Sequence, residues 1–138
     1  MRVAESTVIL APIRQVGWFS ASSTVTFARS AGRLGSLPLP VYSAIKGAQR
    51  GLTKSLAREW GPDGVRVNAI APVAMTPAMD KFFDAQPEMR GYIESGAALR
   101  RVGDPEADVG PVLNFLIGPD SSFITGQTLL VNGGATMV

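Results

Sequence analysis

The stretch PVYSAIKGAQRGLTKSLAREWGPDGVRVNAIAP, residues 40–72, decides the fold. Pro40 suits the first turn of a helix, where its φ is already helical and its missing N–H leaves no bond unmade. Ile45, Ala48, Leu52 and Leu56 recur at three- and four-residue spacing, the stripe expected of a helix seated on a sheet. Gly61-Pro62 stops that helix, and Asp63-Gly64 supplies a turn. Val65–Ala71, VRVNAIA, then reads as a strand buried on both faces, closed by Pro72.

Upstream, Thr24–Ala28, TVTFA, is β-branched and aromatic and reads as a short buried strand. Strand, helix and parallel strand in that order form a right-handed βαβ unit. The fold class is therefore α/β. The glycine- and proline-containing run ARSAGRLGSLPLP between strand and helix is expected to be a surface loop. Loops leaving the carboxyl ends of buried strands are where such folds hold ligands. Val8–Ala11 fits either a strand end or a helix turn.

Downstream, residues 77–101 mix Met, Phe, Tyr and Leu with charges and are expected to form two short helices, broken by Pro87 and Gly91, over a ligand. Asp104 is placed to cap a further helix, with Pro105 at its first position and Glu106 in its first turn. Val109, Val112, Leu113, Leu116 and Ile117 give that helix a buried stripe, and Pro111 predicts a kink or a late start. Gln127–Val131 is a last strand, ended by Asn132-Gly133-Gly134.

Composition narrows the chemistry. The chain has 138 residues, 46% hydrophobic and 17% charged, which suits one soluble globular domain. A net charge of +2, with no basic cluster beyond Arg100-Arg101, argues against nucleic acid as a partner. No Cys and no His removes disulfides, thiol nucleophiles, His-based triads and nearly every zinc arrangement. No apolar run approaches the roughly 18–20 residues of a membrane span. Glu5 before Val8–Ala11, and Pro12 and Arg14 after it, argue against a signal peptide, so a cytoplasmic protein is expected.

A site here must work with Tyr, Lys, Ser, Thr, Asn and carboxylates. Tyr42 and Lys46 stand four residues apart at the head of the helix, so they share one face. An ammonium one turn from a phenol favours the phenolate, which makes the tyrosine usable as a general acid or base.

Three blocks together carry a resemblance: Tyr42-Ser43-Ala44-Ile45-Lys46, then GLTKSLAREWGPDGVRVNAIAP, then GDPEADVGPVLNFLIGPDSSFITGQTLLVNGG. In this order and spacing they resemble the carboxyl-terminal half of the short-chain dehydrogenase/reductase family, over residues 24–138, with residues 1–22 unmatched, which implies part of a Rossmann-like, doubly wound parallel sheet. The resemblance implies an NAD- or NADP-dependent oxidoreductase moving a hydride between the nicotinamide and a ketone or secondary alcohol. Tyr42 would be the general acid/base. Lys46 would bind the nicotinamide ribose and lower the tyrosine's pKa.

The family's substrate-orienting serine falls thirteen residues before the tyrosine, where this chain has Arg29. Ser30 is one position off and is the candidate; Ser22 and Ser23 resemble the paired serines that end the family's strand. Pro72, Val73 and Thr76 match the segment that holds the nicotinamide end, with Val73 in place of the family's glycine. Thr76 serves equally as an N-cap, and Asn68, mid-strand, is expected to satisfy backbone groups. Met75, Met79, Phe82 and Phe83 suit either an apolar substrate or ordinary core packing.

No GxxxGxG or GxGxxG precedes Tyr42 in this sequence, so the family's pyrophosphate-holding loop is absent from it. A strand at Thr24–Ala28 without the family's preceding strands is expected to carry an unpaired edge. The alternative to an oxidoreductase is thus a non-catalytic half-domain that keeps only the surfaces for self-association. Family members dimerise through the tyrosine-bearing helix and tetramerise through the last strand and helix, which implies a homodimer or homotetramer.

Overall fold

A computed structural model describes residues 9–11, 23–27 and 40–137, the first of these by backbone alone. Its centre is a parallel pair. Strand β2 (Ser23–Phe27) lies beside β3 (Arg66–Pro72), with Ser23 opposite Arg66 and Phe27 opposite Ile70. Helix α1 (Pro40–Trp60) connects them. Strand β4 (Thr128–Val131) extends the sheet in parallel on the far side of β3, with Ala69 opposite Thr128. The short strand β1 (Ile9–Ala11) runs antiparallel along the outer side of β2, and the sheet order is β1-β2-β3-β4. The edge expected to stand open is therefore closed over Ser23–Val25, and Val8–Ala11 resolves as a strand over three of its four residues.

The remaining elements follow local chemistry. Gly64 ends α1 at φ 76° and returns its N–H to the Gly61 carbonyl at 3.0 Å, which turns the chain into β3. Helices α2 (Pro77–Ala85) and α3 (Glu88–Gly96) divide at Pro87 as expected. Gly91, expected to break the segment, instead lies inside α3; glycine in a helix costs only about 1 kcal/mol. Asp104 caps the last helix by accepting from Glu106 N and Ala107 N at 2.8 and 2.7 Å. A π-helical turn over Pro105–Val109 precedes α4 (Gly110–Ile117), so Pro111 marks a late α-helical start.

Pleating assigns the two sheet faces. Val25 and Ile70 face α4 and form the core with Val109 and Leu116, joined by Phe27, Val112, Leu113, Ile117, Leu129 and Val131. The stripe predicted for α4 is thus the buried one. The opposite face carries Ala69 and Ala71 and takes α1. The α1 stripe is corrected. Lys46, Thr53 and Ala57 are buried, whereas Ile45 and Leu52 are 43% and 55% exposed and Ala48 is exposed. Short side chains on the sheet let α1 approach through its own short side chains, and Thr53 Oγ1 lies 3.2 Å from Thr26 Oγ1. Periodicity locates an apolar face without saying which of two neighbouring faces a sheet will accept.

At the amino ends of the strands one side chain ties the layers together. Arg66, buried, donates to Ser23 Oγ (2.7 Å), Ser121 Oγ (2.9 Å), Gly118 O (3.1 Å) and Ile124 O (3.4 Å). Ser121 Oγ in turn contacts the Phe115 and Leu116 carbonyls at 2.7 and 3.0 Å. Burial pulls the guanidinium below its usual pKa, yet an arginine stays charged at neutral pH. Truncation would leave two hydroxyls and two carbonyls without their donor. Arg66→Ala is therefore expected to cost about 2–4 kcal/mol in urea unfolding.

Candidate functional site

The opposite pole, at the carboxyl ends of β2, β3 and β4, gathers the chemistry. The first turns of α1 lie over the end of β2, where Lys46 Nζ donates to the Phe27 carbonyl at 3.1 Å. Lys46 is only 8% exposed. Tyr42, one turn earlier and half-buried, presents its ring 5.7 Å from that Nζ. Burying an ammonium is costly unless it is bonded, so this lysine is held in place rather than left to wave in solvent.

The next strand supplies Pro72–Thr76. Val73 N donates to Val131 O at 3.0 Å, and Val73 O accepts from Gly103 N at 3.1 Å. Val73 therefore prolongs the strand's bonding, and it is not among the residues with positive φ, so no glycine-like conformation is asked of it. Thr76 caps α2 by accepting from Met79 N at 3.2 Å. Asn68 satisfies backbone as expected: its amide donates to Ile124 O at 2.9 Å, and its Oδ1 accepts from Gln127 N at 3.1 Å. Of the apolar four, Phe83 is buried beside Phe82 with ring centroids 5.8 Å apart, while Met75, Met79 and Phe82 are half-buried.

Ser30, with Arg29 and Ser22, lies outside the described residues. Ser23 is described and is engaged by Arg66 at the opposite end of β2 from Phe27, which removes it from the site.

Sequence reasoning missed a group at this same pole. A cleft of about 190 Å³ opens between Val73, Leu130, Val131 and Asn132 on one side and Leu99, Arg101, Gly103 and Asp108 on the other. Arg101 grips Asp108 with both arms, at 2.5 and 2.7 Å, and Asp104 N donates to the same carboxylate at 2.6 Å. The Arg101 bond, then the Asp104 backbone bond, hold the Asp108 carboxyl far below the usual range. Nothing in the local pattern announces a pair separated by a helix start. A larger groove of about 610 Å³, between α1 (Lys54, Arg58) and Thr125–Gln127, belongs to the other pole, where Thr125 Oγ1 accepts from Val67 N. Ligands of open α/β sheets sit at carboxyl ends, so the smaller cleft is the relevant one.

Among the described residues no helix is long and apolar enough to cross a membrane. Three parallel strands, β2, β3 and β4, with Tyr42 and Lys46 of α1 over their carboxyl ends, make a Rossmann-like half-fold. The family model described as enoyl-(acyl carrier protein) reductase matches residues 6–136. A 12α-hydroxysteroid dehydrogenase of Clostridium sp. is 38% identical over 112 residues, covering 81% of this chain and 43% of that protein. A short-chain dehydrogenase/reductase from Brucella melitensis superposes with TM-score 0.76 at 35% identity, over 85% of this chain and 46% of that one. A tyrosine-to-phenylalanine variant of ElxO with NADPH bound gives TM-score 0.73 at 30% identity, over 82% and 46%. The chain belongs to the short-chain dehydrogenase/reductase family and spans less than half the length of these relatives.

Lys46→Met keeps the stem and deletes the charge. Its unfolding free energy, from the melting transition, is expected to fall by about 1–2 kcal/mol, because the apolar replacement avoids the ammonium's desolvation cost but leaves the Phe27 carbonyl without its donor.

Proposed function

We propose that this chain carries the proton-transfer end of a nicotinamide-dependent oxidoreductase site that interconverts a ketone and a secondary alcohol. The observation that carries this is Lys46, buried and fastened to the end of β2, beside the Tyr42 ring. When bound, a reduced nicotinamide supplies the hydride that adds to the carbonyl carbon. Tyr42 gives its hydroxyl proton to the carbonyl oxygen, and takes it back in the alcohol-oxidising direction. Lys46 holds the ribose next to the nicotinamide. Ser30 orients the substrate oxygen, and Pro72, Val73 and Thr76 border the carboxamide. The residues present fit the nicotinamide end of such a cofactor; the sequence holds no glycine-rich turn for its pyrophosphate. The relative that acts on a hydroxysteroid supports an apolar secondary alcohol as substrate, as do Met75, Met79 and Phe82.

Titration with NADH and with NADPH, followed by nicotinamide fluorescence, tests the reading. Saturable binding that weakens in Lys46→Met supports it. Where turnover is found with a ketone, Tyr42→Phe should lower it by about 10²–10⁴-fold while leaving cofactor binding intact. A folded sample that binds neither cofactor at millimolar concentration overturns it for this chain.

A second reading, a half-domain that self-associates as a homodimer or homotetramer, is favoured by one feature. Val41, Ile45 and Leu52 line one side of α1 and are 62%, 43% and 55% exposed, an apolar stripe that a partner would cover. In sedimentation velocity the parent should run as a dimer or tetramer, and the Ile45→Asp/Leu52→Asp double variant as a folded monomer. A parent that is monomeric at micromolar concentration sinks this reading.

A further inference from the structure

Helices α2 and α3 form an excursion from the sheet that leaves at Met75 and returns at Gly103. Among the described residues, the ring, ion-pair and side-chain hydrogen-bond contacts of residues 76–100 stay within that span, and Arg101 reaches out of it to Asp108. Phe82 meets Phe83, the Arg90 guanidinium lies 5.9 Å from the Phe83 ring, and Arg90 pairs with Glu94 at 3.0 Å. The pair of helices is therefore an arm that packs on itself. It joins the body through a stem. Met75 N donates to Gly103 O at 2.8 Å, Gly103 N donates to Val73 O at 3.1 Å, and Leu99 N donates to Gly133 O at 3.0 Å.

The stem is built for close approach. A Cβ on Gly103 would fall 2.9 Å from Val73 O, and one on Gly134 would fall 2.7 Å from Ala98 Cβ. Gly133 and Gly134, at φ 59° and 77°, make the turn that receives the returning chain. Arg100 takes φ 55° just before the stem closes, a conformation that a non-glycine residue adopts only when held. Arg100 donates its own N–H to Ala97 O at 3.0 Å and its guanidinium to Ser95 O at 2.6 Å, and the next residue, Arg101, is gripped by Asp108, whose carboxylate also takes the Asp104 N–H.

From this arrangement we infer that Asp108 is a latch. It fastens the returning strand of the stem, sets the width of the cleft at the carboxyl pole, and makes Met75–Thr76 and Ala97–Arg101 the hinges of a rigid two-helix arm. Leu99, Arg101, Gly103 and Asp108 form one wall of that cleft, so releasing the latch moves the wall. The inference does not depend on the redox reading, since it rests on the Arg101–Asp108 pair and the backbone hydrogen bonds of the stem.

Amide hydrogen exchange by NMR on the full chain tests it. In Asp108→Asn, exchange at Met75, Leu99 and Gly103 should quicken about three- to tenfold, the range for loss of an exposed but bidentate pair, while Ala69 and Val73 keep their parent rates. Arg101→Gln should reproduce the effect, and serves where Asp108→Asn does not fold. Arg101→Lys, which keeps the charge without the fork, should fall between. Unchanged stem rates overturn the latch. So does equal acceleration through β3, which would mean that the pair stabilises the whole fold and not the stem.

Discussion

The buried guanidinium of Arg66 is the constraint on which the layers of this structure depend. It reaches β2 through Ser23, the end of α4 through Gly118, and the segment before β4 through Ser121 and Ile124. Three pieces of chain distant in sequence, β2, β3 and residues 118–124, are thereby held at one pole by one side chain. A charged group so placed stabilises only if its acceptors are all present, so it specifies an arrangement as much as it strengthens one. Parallel pairing of β2 with β3 begins at this clamp, with Ser23 opposite Arg66, and runs toward the other end of the sheet. The carboxyl pole is free of that duty. It can carry Lys46, the Val73–Gly103 bridge and the cleft beside them because the sheet is fastened elsewhere.

Much of this was legible from residues. Pro40, Gly61-Pro62 and Asp104-Pro105 act locally, through φ and through side-chain bonds to nearby N–H groups, and a local signal survives whatever packs around it. The α4 stripe could be read as well, since the core it meets, Val25 and Ile70, is bulky and admits only an apolar face. The α1 stripe could not. Its burial was decided by Ala69 and Ala71 on the sheet, small residues that favour Thr53 and Ala57 over Ile45 and Leu52. That is a tertiary fact with no imprint on the helix's own period. The partner of β2 was hidden for a similar reason. Three residues of β1 suffice to cover Ser23–Val25, and so short a run has no pattern of its own.

The candidate site divides along the same line. Tyr42 and Lys46 are four residues apart on one helix, so their proximity follows from helical geometry and the chain announces it. The Arg101–Asp108 pair joins the segment that returns from α3 to the π-helical turn before α4. Its existence depends on how the chain returns from the arm, which composition does not reveal. Val73 shows a third case. Reading it as a replaced glycine suggested a deficit, whereas the structure uses it as an extended residue that bonds to Val131 and Gly103 on its two sides.

The exposed side of α1 bears on how the two functional readings relate. Val41, Ile45 and Leu52 are large, apolar and outward, next to a helix face already committed to the sheet. A helix that turns an apolar stripe outward while its other side is committed to a sheet is normally covered on both sides. The chain spans less than half the length of its relatives, so a cover can come from another part of such a domain or from a second copy. Either cover would sit beside Tyr42, because Val41 and Ile45 flank it on the same helix. Water would then be excluded from one side of the Tyr42–Lys46 pair by that contact. Catalysis and association are in that sense one question at this helix: the chemistry proposed for Tyr42 and Lys46 needs a dry, fixed surrounding, and the stripe beside them is where it would be built.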